Sequence, residues 1–394
     1  MKLNLCSLLL CLPFLFACQS NYYPHIKQIS AQTTLYLDNQ YIALKPLHIE
    51  TEQEVFQLNN EMLTLVETKL TNNLPAQQKA YILLNHLFNE EKIALTYRDN
   101  ANLTASQAYQ RKVANCMSLT IMAYALAEKA GMNISFQAVK VPEYWVNNGQ
   151  YSLLTGHVNL LVREDDYHKR IIVWGEKTTT IDFDPFVAKK KFPSTIISKD
   201  TVVAMFYNNK GAQALVDDNY PLAYHYFKQA TLSDNQFSSA WGNLGILYKL
   251  SGHYPMAEKA YNYAISLDPD NLTSLGNLAL LLSQQGRANQ ALLIEEYITK
   301  ARANNPYYHA LLGNEAFLKQ SYQQALEHYK KAIELDDEQH EFYFAIAKIY
   351  YQQGQLLLAK KSMLTAVKLV NFQDIKKQYI AKLNFLKGQS TLSD

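Results

Sequence analysis

The sequence predicts an α+β domain followed by an all-α solenoid, and three observations carry that expectation. Residues 111–131 read as an apolar helix that opens at Cys116, and a helix apolar on every face needs a domain wrapped around it. Past Gly131, apolar and polar residues alternate with the period of half-buried strands. From about residue 204 the sequence repeats itself, with Ala223, Ala257, Ala291, Ala325 and Ala359 each 34 positions apart.

The chain has 394 residues, enough for two or three domains. Hydrophobic residues make up 48% and charged residues 18%, the composition of a globular body. A net charge of +2 gives no electrostatic reason to expect a nucleic-acid partner.

Taken in order, residues 1–18 have a basic Lys2 and an apolar run from Leu8 to Phe16, too short for a permanent span. The run ends Leu15-Phe-Ala-Cys18, which resembles the lipobox of bacterial lipoproteins. That resemblance implies that Cys18 is lipidated and that residues 1–18 are a signal peptide. Gln19, where an aspartate would favour inner-membrane retention, implies an outer-membrane anchor facing the periplasm. The alternative is an ordinary secretory signal in which Cys18 is incidental.

Residues 19–50 are polar and mixed, and they are expected to form a tether with a short edge hairpin around Leu35 to Leu44. The domain proper is expected over 51–195. Val55, Phe56, Leu58, Met62, Leu63, Leu65, Val66 and Leu70 lie at helical spacing, and Pro75 opens a second helix through Phe88. Thr104 is placed to cap a short helix through Tyr109. Asn115 is placed to cap the cysteine helix, and Gly131 to end it in the left-handed conformation. Cys116 then lies at the positive end of a buried helix dipole, where an anion is favoured.

Strands are expected at Ile134 to Val141, at Gly156 to Val162, and as a hairpin of Arg170 to Trp174 with Thr178 to Phe183. Four cysteines less Cys6 and Cys11 in the removed peptide, and less lipidated Cys18, leaves Cys116 as the one free thiol of an exported chain. A buried structural thiol is the plain alternative.

Asn115-Cys-Met-Ser-Leu-Thr120, followed by Ala125-Leu-Ala-Glu-Lys-Ala-Gly131, resembles the nucleophile helix of the transglutaminase-like (papain-like) superfamily. The resemblance covers roughly residues 75–190. It implies a triad in which Cys116 is the nucleophile, His157 the base, and Asp182 or Asp184 the group that orients the ring. The Asp184-Pro185 pair matches one family feature, whereas Asp182 has the better strand context, and the sequence leaves both open. Asn115 is a candidate for an oxyanion or pocket role. Trp145 and Trp174 are candidates for the pocket wall, with core packing as the plainer role. A lone strand histidine is otherwise most often a satisfied core residue.

The array is expected over 204–373, with a capping helix and tail over 374–394. Ala230, Ala264, Ile298, Ala332 and Ala366 follow the alanine series by seven, and Gly211, Gly245, Ala279, Gly313 and Ala347 precede it by twelve. Tyr220, Tyr254 and Tyr322, with Phe227, Tyr261 and Tyr329, supply aromatics beside them. The pattern resembles five tetratricopeptide (TPR) repeats, the third departing most, with Ala288 and Glu295 at aromatic positions. It implies a surface that binds a protein or peptide.

Cys-x-x-Cys and His-x-x-x-His spacings, glycine-rich phosphate loops and flavin motifs do not occur, so neither a metal nor a cofactor is expected. The resulting expectation is a lipid-anchored periplasmic cysteine hydrolase, a protease or amidase, or an acyltransferase. The runner-up is a non-catalytic TPR scaffold with a degenerate domain.

Overall fold

The computed structural model describes residues 35–43, 46–71, 73–88, 95–98, 100–148, 151–164, 178–184, 187, 192–370 and 373–390. Cys18, the Arg170 to Trp174 strand and Trp174 itself lie outside these residues.

The first part is α+β. Helices α1 (Glu52–Phe56), α2 (Asn60–Lys69) and α3 (Ala76–Phe88) precede a short helix α4 (Ala105–Arg111) and the cysteine helix α5 (Cys116–Lys129). The continuous periodicity over Thr51 to Thr71 yields two helices because Asn59 starts a new one, its side chain accepting from the Met62 N–H at 2.9 Å. Thr51 and Thr104 form capping boxes with Glu54 and Gln107. Two-residue strands β1 (Thr96–Tyr97) and β2 (Val113–Ala114) pair in parallel and bring Tyr97 beside the start of α5.

A four-stranded sheet follows, built from β3 (Asn133–Asn148), β4 (Tyr151–Arg163), β5 (Thr178–Ile181) and β6 (Ser194–Ile197) in the order β5-β4-β3-β6, every pair antiparallel. Strand β3 runs well past Val141, where alternation breaks down, because β4 pairs with it as far as Asn148. Val158, Leu160, Val162 and Ile181 join Leu119, Met122, Ala123 and Leu126 of α5 in one core. At the far end of α5, buried Lys79 donates from Nζ to the Ala130 carbonyl at 2.8 Å, a cation at the negative end of the dipole.

The second part is all helical, in five antiparallel pairs: α6 (Lys199–Val216) with α7 (Tyr220–Ser233), α8 (Ser238–Leu250) with α9 (Tyr254–Leu267), α10 (Leu272–Gln284) with α11 (Ala288–Arg302), α12 (Pro306–Leu318) with α13 (Tyr322–Leu335), and α14 (His340–Gln352) with α15 (Leu356–Leu369). Helix α16 (Gln373–Ser390) packs its buried Tyr379, Leu383 and Leu386 on Ala359, Met363 and Ala366 of the last pair. A Cβ on Gly211, Gly245 or Gly313 would come within 2.6, 2.6 or 2.8 Å of the rings of Phe227, Tyr261 and Tyr329. Glycine lets each ring lie against the opposing helix backbone. Where the ring is replaced, by Glu295 and Met363, the facing residues are Ala279 and Ala347.

The first array helix starts at Lys199 rather than at 204, and its Val202, Val203, Ala204 and Phe206 belong to the same core as α5, so no linker divides the parts. The segment 35–43 contains a 3-10 turn at Asp38–Gln40 in place of a hairpin. It lies on the array as a strap rather than on the sheet edge. Leu35 and Tyr41 are buried among Tyr224, Trp241 and Tyr248, Tyr41 stacks on Tyr224 at 4.6 Å, and the Tyr248 hydroxyl donates to the Leu35 carbonyl at 2.7 Å.

Candidate functional site

Cys116 is the first residue of α5 because Asn115 caps it. The Asn115 side-chain oxygen accepts from the Ser118 N–H at 2.8 Å, and its own N–H donates to the Ala101 carbonyl at 3.1 Å. The cap fixes the Asn115 side chain at the helix start through its carbonyl oxygen. The thiol is half-buried, and its Sγ stands 3.7 Å from the Tyr97 hydroxyl.

His157 projects from β4 and is buried, as is Asn159 two residues on along the same face. Its Nε2 meets Asp182 Oδ1 at 2.8 Å and Oδ2 at 3.0 Å. The same carboxylate accepts from Asn159 Nδ2 at 2.8 Å and from the Asp184 backbone N–H at 2.9 Å. Three donors thus converge on Asp182, which follows β5 directly. Asp182 and Asp184 share no strand face, since the strand ends at Ile181 and the chain bends at Phe183. Asp184 Oδ1 instead accepts from the Val187 N–H at 3.4 Å.

The electrostatics follow from that geometry. Burial alone would lower the His157 pKa, but the hydrogen bond and charge of Asp182, together with the neighbouring Cys116, raise it to about 9. Burial alone would raise Asp182, and its bonds from His157, Asn159 and the Asp184 N–H outweigh it, holding the carboxyl below its usual range. The ring is therefore an imidazolium at neutral pH, with Nε2–H given to Asp182. The other nitrogen, Nδ1, is buried and meets no partner in full hydrogen-bond geometry, and Cys116 is the neighbouring group acting on the ring beside Asp182. Such bonds are often long before substrate arrives.

Trp145 takes no part in this site or in the core. Its ring carries the Arg302 guanidinium at 4.9 Å, on the array. Asn159 and Tyr97 were not singled out in the sequence. Asn159 carried a usable signal, its position two residues after His157, whereas nothing local marks Tyr97. An open groove of about 420 Å³ lined by Phe56, Leu58, Leu63, Ala125, Glu128 and Lys129 lies toward the other end of α5. Among the described residues, no group of three or more metal-ligating side chains occurs, and no helix is long and apolar enough to cross a membrane.

Comparison with known proteins bears on the array. Family models described as tetratricopeptide repeat match residues 238–271 and 340–369, and one described as TPR repeat matches 313–354. The C-terminal part is thus a TPR solenoid, and such arrays generally bind proteins or peptides. Similar solved structures include a thermophilic TPR protein of Thermus thermophilus, at 20% identity, covering 46% of this chain and 98% of that one, with a TM-score of 0.31. Pseudomonas aeruginosa pilF gives 17% identity, 48% and 91% coverage, and a TM-score of 0.28. MamA of Desulfovibrio magneticus RS-1 gives 19%, 43% and 97%, and 0.28. No curated protein matches the chain.

Proposed function

We propose that the α+β part is a transglutaminase-like cysteine hydrolase, a protease or amidase, and that the TPR array presents its protein partner or substrate. The observation that carries the reading is the buried His157, held at Nε2 by Asp182, with Cys116 at a helix start as the other group acting on the ring. In this reading the Cys116 thiolate attacks an amide carbonyl and forms the S–C bond. The imidazolium gives its Nδ1 proton to the departing amine as the C–N bond breaks. Water then attacks the thioester, its proton passes to Nδ1, and the S–C bond breaks to restore the thiolate. The helix N-terminus offers the Cys116 N–H, which has no intrahelical partner, to the developing oxyanion. An amine in place of water would make the enzyme an acyltransferase. Hydrolysis ranks first because no amine-acceptor site is marked in the sequence.

The chain is further read as a lipoprotein anchored through Cys18 to the outer membrane and facing the periplasm, on the strength of the lipobox-like Leu15 to Cys18. Intact mass of the membrane-extracted protein tests this: a lipidated chain starting at Cys18 is expected, and an unmodified chain starting elsewhere rules it out. The chemistry is tested by thioester trapping. Full-length protein turning over a panel of peptide amides should acylate at Cys116 and release amine, and Cys116→Ser should abolish both. The non-catalytic scaffold remains the second reading, favoured by the array. It predicts partner binding unchanged by Cys116→Ala, with no acylation in the wild type.

A further inference from the structure

Strands β3 and β4 keep register from Asn133 opposite Arg163 to Val139 opposite His157, and resume it at Tyr144 opposite Thr155. Between those pairs Lys140, Val141, Pro142 and Glu143 face the single residue Gly156. His157 is thus the last residue of its ladder before a long excursion of the neighbouring strand. A strand beside such a break takes its position from whatever holds the excursion's two ends. One end is held within the domain, by the Lys140 N–H on the Pro193 carbonyl at 2.8 Å. The other is held by the array. Glu143 takes Arg302 Nε at 2.7 Å and Nη2 at 2.9 Å, and its carbonyl accepts from Asn305 Nδ2 at 2.8 Å. Trp145 and Tyr308 lie against the same guanidinium, at 4.9 and 5.7 Å, and Tyr144 lies 5.8 Å from Tyr307.

The repeat pattern shows this contact to be built in rather than incidental. Asp234, Asp268 and Asp336 occupy one repeat position at the ends of α7, α9 and α13, where each is the residue that closes its helix. The same position in the third pair is Arg302, inside a lengthened α11. The charge reverses in the one repeat that meets Glu143. The pair is bidentate, with Arg302 nearly buried and Glu143 partly exposed, so loss of Glu143 leaves a poorly hydrated cation.

We infer that Arg302 of the array is a positioning residue for His157, acting through Glu143 and the β3 excursion. The inference rests on the cysteine-hydrolase reading for its consequence, which is that the array and the chemistry are mechanically one unit. A protein partner seated on α11 and α12 is then sensed at the histidine. Binding there moves Arg302 and Asn305, and with them the strand that fixes how His157 faces Cys116. The array so becomes a control surface for the reaction as well as a recognition surface.

The test uses the full chain with Arg302→Asp, which installs the residue that three of the other four repeats carry (the fifth has Val370), with Glu143→Gln, and with the double variant. Circular dichroism confirms folding. Two readouts follow: the titration midpoint of the His157 ring by NMR, and the rate of Cys116 alkylation by iodoacetamide at pH 7. Each single variant should lower the midpoint by about one pH unit or more and slow alkylation about tenfold. The double variant should do no worse than either single one, because both act on one contact. A folded Arg302→Asp chain with the wild-type midpoint, or single effects that simply add, overturns the inference. Should the wild-type thiol react no faster than free cysteine, the hydrolase reading falls, while the ring midpoint alone still decides the positioning role.

Discussion

Asp182 and Asp184 are two residues apart, and only geometry separates them. A straight strand would have turned both toward His157, and the sequence offered no way to choose. The bend at Phe183 decides it, aiming the Asp182 carboxylate at Nε2 and the Asp184 carboxylate at the Val187 N–H. Asp182→Asn should therefore drop the ring midpoint from about 9 and slow alkylation of Cys116 at pH 7 by about tenfold or more, whereas Asp184→Asn should leave the midpoint in place. NMR titration of the two variants reads this directly. The pair also links stability to pH. His157 is raised above its unfolded value of roughly 6.5, so its contribution is complete below that pH and is lost as pH climbs through about 9. Asp182 is lowered, so its contribution is present above its unfolded value of roughly 3.9 and is lost as pH falls through the folded value. Urea midpoints should thus be highest between those limits, and His157→Gln should flatten the alkaline decline. Cys116 and His157 could be read from helix start and strand pattern, since both are local signals. Asn115 was legible as the cap of the cysteine helix for the same local reason.

At the scale of elements, the helical pairs were legible because each repeat must bury small residues where its two helices touch. What the repeat does not reveal is its turn. Asp218, Gly252, Gly286, Gln320 and Gly354 occupy one repeat position, all at positive φ, and two of them are not glycine. Gln320, at φ 58°, holds a conformation that L residues adopt at a cost. Gln320→Gly should raise stability by about 0.5–1 kcal/mol, partly offset by greater freedom of the unfolded chain. Thermal melts of the two proteins measure the difference. Conversely, Gly245→Ala pushes a methyl into the Tyr261 ring and should cost about 1–3 kcal/mol. Strand β6 escaped notice because it is short and mostly exposed, and its partner β3, not its own pattern, makes it a strand.

The whole molecule does not divide where the sequence does. Apolar residues of α6 complete the core of the cysteine helix, and the strap before the domain completes the core of the first two repeats. Sequence order could not give this, because the contacts that fix the strap span up to 213 positions, as from Tyr248 to Leu35. An isolated array beginning near residue 200 should accordingly be helical but less stable than the same array in the full chain. In the full chain, Tyr41→Ala should cost about 3–5 kcal/mol by emptying the space against Tyr224. Guanidinium titrations of the fragment, the variant and the parent compare them. The account as a whole turns on whether the thiol and the imidazole act together. The most direct measurement is iodoacetamide labelling at neutral pH, located at Cys116 by mass spectrometry, for the parent chain and for folded His157→Ala. The expected result is rapid labelling of the parent and a loss of about tenfold or more in the variant. Equal rates in the two proteins would contradict the account and leave Cys116 as a residue of the core.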